Sequence, residues 1–234
     1  MATLNNNKRN IIPEVVLYNI ITLSLQKIKD ELLKDSSNKN NFLYKHFNGI
    51  SMGDFVFYDQ GKELMLRGRN VPRNLQVNLF FNTERASSPT IHIAQSSESD
   101  KPFGMGNQDQ VFEDDFDKSS GQGGITKSNR FMSSSNIIIT SDNTFEVIFL
   151  YSLLKTIFSG TKSYISSVFD LDDLQISGED LAPIENLVPQ NIYYKSLRIS
   201  FEYDLFSLSI FEHFNILEDL DKFVFCGNII DPFN

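Results

Sequence analysis

Between Asn136 and Gly160 the chain reads NIIITSDNTFEVIFLYSLLKTIFSG, a β-branched run that passes through Ser141-Asp142-Asn143 into apolar residues at helical spacing. A strand therefore feeds directly into a helix, which restricts the fold to architectures that layer helices on a sheet. Asn143 has the chemistry of an N-cap. Glu146, three residues on, completes a capping box and complements the helix dipole. Gly160 follows the last periodic position and marks the expected end of the helix, with Thr161 to Phe169 forming a separate short one.

Val147, Leu150, Tyr151, Leu154, Ile157 and Phe158 share one face of this helix and form the stripe expected to pack on a sheet. The opposite side carries Phe145, Ile148, Phe149 and Leu153, diluted by Ser152, Lys155 and Thr156. A helix apolar nearly all round needs cover on both sides. Two coverings fit: a second layer of the same chain, or a neighbouring subunit docked on Phe145, Ile148, Phe149 and Leu153.

The chain has 234 residues, enough for one elaborated domain with a sizeable core. We assign residues 13–234 to a single domain and residues 1–12, rich in Asn and without apolar periodicity until Pro13, to a flexible arm. From Pro13 to about Leu33, Val16, Ile20 and Leu23 recur at helical spacing, giving the first long helix. A loop with Phe42, Tyr44 and Phe47 follows. Asp54 to Tyr58 and Lys62 to Leu66 then flank Asp59-Gln60-Gly61 in the manner of a β-hairpin.

Leu75 to Phe81 alternates as a half-buried strand, and Pro89 to Ala94 reads as another, with His92 facing away from the core. Gln95 to Ser135 is the longest break in the pattern, an insertion dominated by Ser, Gly and Asp with Phe103, Phe112 and Phe116 among its few apolar anchors. Those three phenylalanines are the expected docking contacts of the insertion. Leu174 to Ile176 is a short strand, Pro183 and Pro189 bracket an extended link, and Tyr193 to Leu205 alternates Leu197, Ile199, Phe201 and Tyr203 with polar residues. A Phe-rich tail closes the chain. The expected class is α+β: a mainly antiparallel sheet packed by two principal helices, with a long loop insertion over residues 95–135.

Chemistry is sparse. His46, His92 and His213 have no metal-like spacing, and Cys226, the one cysteine, excludes an intramolecular disulfide and a cysteine-rich zinc site while fitting a reducing compartment. The acidic runs Glu113-Asp114-Asp115-Phe116-Asp117 and Asp170-Leu171-Asp172-Asp173 lack the spacing of a calcium loop, and neither glycine cluster, Phe103 to Gly106 or Gly121 to Gly124, sits between a strand and a helix as a phosphate cradle requires. No catalytic, cofactor or metal residues are expected, so the chain reads as a structural or interaction protein and not an enzyme. Nothing in it matches a bilayer span or a secretory signal. The net charge of −9, from 21 basic and 30 acidic residues, argues against a surface built to hold nucleic-acid phosphates or anionic lipid.

The order and wording of several segments resemble neck and tail-terminator proteins of tailed bacteriophages. The resembling residues are Pro89-Thr90-Ile91-His92-Ile93, the run Ile137 to Asn143 with Glu146-Val147, Leu150-Tyr151 and Leu153-Leu154-Lys155, then Leu174 to Leu181 and Pro189 to Leu197 with the strand that follows. The resemblance implies a structural virion protein, made in the host cytoplasm, that assembles with itself into a ring of six- or twelve-fold symmetry at the head–tail junction. It further implies portal or connector and tail proteins as neighbours, no cofactor, and DNA passing through the lumen without specific binding. Arg67, Arg69 and Arg73, close together in sequence, have two placements in such a ring, the lumen side or salt bridges to an adjacent acidic subunit, and the second is the one expected. The insertion over residues 95–135 and the Phe-rich C-terminus depart from the family pattern. Two readings from other classes stand beside this one: a metal-dependent phage hydrolase or nuclease built on the acidic runs, and a soluble regulatory binding domain.

Overall fold

A computed structural model describes residues 12–34, 39–68, 71, 73–81, 88–100, 110–112, 116–117, 122–123, 126–169, 171–179 and 192–207. Its elements in chain order are α1 (Pro13–Lys34), α2 (Phe42–Phe47), β1 (Ser51–Met52), β2 (Phe55–Val56), α3 (Phe57–Leu66), β3 (Gln76–Leu79), β4 (Thr90–Asp100), β5 (Gln110–Phe112), β6 (Phe116–Asp117), β7 (Gln122–Gly123), β8 (Thr126–Ser141), α4 (Thr144–Phe169), β9 (Asp172–Glu179) and β10 (Tyr193–Ser207). The class is α+β, as the sequence implies. Two compact units divide the chain: a larger one of Ile11–Ser99 and Met132–Tyr203, and a smaller one of Met1–Asn10, Asp100–Phe131 and Asp204–Asn234.

In the larger unit the sheet runs in the order β3-β4-β8-β10-β9. β9 and β10 pair antiparallel, with Ile176 opposite Ile199. β4 and β8 run in opposite senses, since His92 meets Thr140 while Ser96 meets Ser134. β3 departs from the expected antiparallel pattern by lying parallel to β4, Val77 beside Ile91. In the smaller unit β5 pairs antiparallel with the first residues of β8, and β6 with β7.

The strand-to-helix junction forms where the sequence places it, but α4 does not stop at Gly160. It continues to Phe169 in one run of 26 residues, and a Cβ at Gly160 would meet open space. Glycine there permits a helix end without imposing one. Ile165, fully buried seven residues after Phe158, keeps the apolar stripe in phase and the helix bound to its support.

Of the two coverings open to the second face of α4, the chain itself supplies the one over its central residues. Phe149 and Leu153 are fully buried inside the chain itself, and Phe145 and Ile148 are half-buried. Their cover is an element misread as a hairpin: Phe57–Leu66 is the helix α3, and the turn signal at Asp59-Gln60-Gly61 lies within it. A smaller hairpin, β1 and β2, precedes it, with Gly53 at positive φ in its turn. The segment expected as a loop is the short helix α2, whose N-cap Asn41 accepts from the Tyr44 amide at 2.7 Å.

Gly61 is where α3 meets α4. A Cβ built there would stand 2.4 Å from two ring carbons of Phe149, so the absence of a side chain sets the distance between the helices. Phe47 completes the cluster, its ring 4.9 Å from that of Phe149, and Phe55 stacks on Phe145 at 5.2 Å. Alanine at an exposed helix position would stabilise by up to about 1 kcal/mol, but overpacking here costs about 1–3 kcal/mol. Gly61→Ala is therefore expected to lower the urea midpoint, and a raised midpoint would show that Phe149 yields without strain.

α1 packs on β3, α3 and α4, and α4 packs on β9. Leu17, Ile21, Ile91, Ile137, Ile139, Leu197, Ile199 and Phe201, all essentially without solvent exposure, fill the space between helices and sheet. The alternation read in β10 is borne out on its apolar side. The stretch from Gln95 to Ser135 is shorter as an insertion than expected, because β4 extends to Asp100 and β8 begins at Thr126. Ser96, Ser97 and Ser134 belong to strands and hydrogen-bond to one another across them, at 2.6 and 2.7 Å.

Candidate functional site

Glu146 stands where β8 hands over to α4, and it is not the reciprocal cap that its spacing implies. Asn143 does cap α4, its Oδ1 accepting from the Phe145 amide at 2.9 Å, but the Asn143 amide is taken by the Ser141 hydroxyl at 3.2 Å. The Glu146 side chain turns inward, leaving the residue 5% exposed. There it accepts three times: from the Ser141 hydroxyl at 2.6 Å, from Arg67 Nη1 at 3.2 Å and from Arg73 Nη2 at 3.0 Å. A carboxylate this buried needs such partners, because desolvation disfavours the charged form.

Arg67 follows the last residue of α3, and Arg73 precedes β3. The cluster thus ties α3, the approach to β3 and the start of α4 together. Arg67 also donates to the Arg73 carbonyl at 3.4 Å and reaches Glu63 at 3.4 Å. Arg73 bridges to Asp142 through its other nitrogen. The hydrogen bond that Arg73 donates to Asp142 is the main cause that raises the Arg73 guanidinium above its ordinary value, and Glu146 adds to it against the opposing effect of burial. Arg67 and Arg73 were expected to face a neighbouring subunit, but here they pair within their own chain; Arg69 lies outside the described residues.

These charges floor an open cleft of about 680 Å³ whose walls include Met52, Phe145, Ile148 and Tyr193. Chemically the floor is close to neutral, since each guanidinium already faces a carboxylate. Of the four residues expected at a subunit contact, Phe145 and Ile148 line this cleft while Phe149 and Leu153 lie in the core beneath.

His92 also differs from its expected outward placement. It is fully buried, its Nε2 3.2 Å from the Thr140 hydroxyl and its Nδ1 3.4 Å from the Phe80 carbonyl, with the Phe81 ring 4.6 Å away. Burial pushes its pKa below the ordinary value, partly countered by the Phe80 carbonyl. Unfolding frees a histidine that titrates near pH 6.5, so the unfolded chain takes up a proton that the folded chain refuses. Stability is therefore complete above about pH 6.5 and declines as the pH falls toward the lower folded value, by at most about 1.4 kcal/mol per pH unit. Urea midpoints between pH 7.5 and 5 are expected to fall, and His92→Gln to flatten that slope; an unchanged slope would assign it to other groups.

Asp172 and Asp173 are exposed at the start of β9, and among the described residues no three His, Cys, Asp or Glu side chains gather as a metal site. Phe112 lies in β5 and Phe116 in β6. Phe103, Glu113, Asp114, Asp115, Asp170, His213 and Cys226 lie outside the described residues, as do the arm up to Ile11, the link with Pro183 and Pro189, and the tail from residue 208. No helix among the described residues is long and apolar enough to cross a membrane. No protein-family model and no curated protein matches the chain.

Proposed function

We propose that this chain is a structural virion protein of a tailed phage, forming a homo-oligomeric ring at the neck or head–tail junction through which DNA passes. The reading begins from the sequence resemblance to neck and tail-terminator proteins. The observation that supports it best is the saturated cleft: Arg67 and Arg73, the cations most exposed to a ligand there, are held by Glu146 and Asp142. A cleft so neutralised favours packing against protein over gripping a phosphate backbone or a charged substrate. In this role the portal or connector lies on one side, tail proteins on the other, and the net charge of −9 repeated in every subunit keeps a polyanion moving.

Two measurements on the purified protein test the reading together. Sedimentation at increasing concentration is expected to reveal a closed oligomer, and a monomer at every concentration would overturn the ring. Duplex DNA at low salt is expected to bind only weakly. A sub-micromolar complex with a steep salt slope would overturn the passive conduit.

A further inference from the structure

We propose that copies of this chain join edge to edge through the sheet of the larger unit, β3 of one copy pairing with β9 of the next; this rests on the ring reading above and names its contact. The sheet order ends in β3 on one side and β9 on the other, and neither has a further strand beside it among the described residues. In β3 the amides of Gln76 and Phe80 bond to the Pro89 and Ile93 carbonyls. In a parallel ladder alternate residues aim both backbone groups at the same neighbour, so Val77 and Leu79 turn theirs toward the open edge.

Soluble proteins guard such edges with lysine, proline or inward charge. Here the segments that would pair carry none: β3 is Gln-Val-Asn-Leu, and Leu174 to Gly178 of β9 reads Leu-Gln-Ile-Ser-Gly. At the end of β3, Leu79 is 40% and Phe80 73% exposed, and Phe80 holds a positive φ of 70°. A bulky residue in that region is strained, and the buried His92 beneath it contributes to holding its carbonyl in place.

The surroundings of the two edges differ in sign. Lys29 of α1 lines the groove beside β3, whereas Asp172 and Asp173 stand exposed at the start of β9. Two unlike edges of complementary charge make a head-to-tail contact, which closes into a ring when the rotation between copies permits. The occupant of each edge is therefore a second copy of this chain, and main-chain hydrogen bonds supply the contact as in other strand-addition complexes.

Cross-linking decides this, using the full chain with Cys226→Ser. With Asn78→Cys in β3 and Ser177→Cys in β9 of the same chain, a short bismaleimide is expected to yield a ladder of covalent dimers, trimers and higher rungs, while either cysteine alone yields none. A ladder lost on dilution, and at least tenfold weaker self-association of Leu79→Lys with unchanged thermal stability, complete the expected pattern. An oligomer by sedimentation that gives no ladder overturns the edge contact and leaves the ring intact. Dimers from Asn78→Cys alone also overturn it, by showing like edges paired. A monomer at every concentration removes the ring and this contact with it.

Discussion

Phe149→Asp is expected to abolish folding of the subunit, not merely its assembly. Phe149 has no solvent exposure, touches Phe47 at 4.9 Å and fits over Gly61 so closely that even a methyl group there would collide with its ring. Truncating such a ring costs about 3–5 kcal/mol, and the introduced carboxylate is then buried beside the Phe47 ring and Gly61, where desolvation disfavours its charge. A domain of this kind has about 5–15 kcal/mol in total. Circular dichroism of the purified variant is the measurement, with Phe149→Leu as the control that keeps an apolar side chain and is expected to fold with a lowered melting temperature. A folded Phe149→Asp monomer that fails only to assemble would restore this face to the subunit interface.

The second large effect is expected at Glu146. Replacing it with alanine leaves Arg67 and Arg73 facing each other across the cleft floor, with side chains only 20% and 40% exposed, and removes the acceptor of the Ser141 hydroxyl proton. Breaking a fully buried pair costs about 3–5 kcal/mol; the partial exposure of both arginines allows water to screen them, so about 2–4 kcal/mol is expected here. Glu146→Gln keeps the shape and one acceptor and is expected to lose less. Because Arg73 retains Asp142, a cycle of Glu146→Ala with Arg73→Ala separates the Glu146 contact from the Asp142 contact, and a coupling energy near zero would show that the two sites act independently.

Both predictions turn on features that sequence reading handled unequally. The helical period after Asn143 and the alternation in β10 survive because each reports a one-sided burial that the chain's own neighbours enforce. Gly61 misled because a glycine after Asp-Gln carries the same local signal in a turn as in a helix that needs close approach. Only the doubly apolar α4 required something to lie over it, and that requirement pointed to α3 without naming it. Glu146 was legible as a helix-start residue, but its true partners, Arg67 and Arg73, are more than seventy positions earlier in the chain, beyond any local pattern. His92 looked outward because it alternates with Ile91 and Ile93; the first part of β4, Thr90 to Ile93, is instead buried on both faces, so alternation there separates two buried faces and not core from solvent.

The order β3-β4-β8-β10-β9 has a consequence for how the chain emerges from the ribosome. β8 lies in the middle of the sheet, yet its neighbour β10 is made only after the whole of α4 and β9. During that interval the strand Ile137–Ile139 has one side without a hydrogen-bonding partner, a state prone to pairing with other nascent chains. α4 follows β8 at once and coils within microseconds, laying Leu150 and Leu154 over the core before the sheet is complete. A helix covers a face and not an edge, so the hydrogen-bonding side of β8 stays open until β10 arrives, and that non-local pairing is expected to form late in folding.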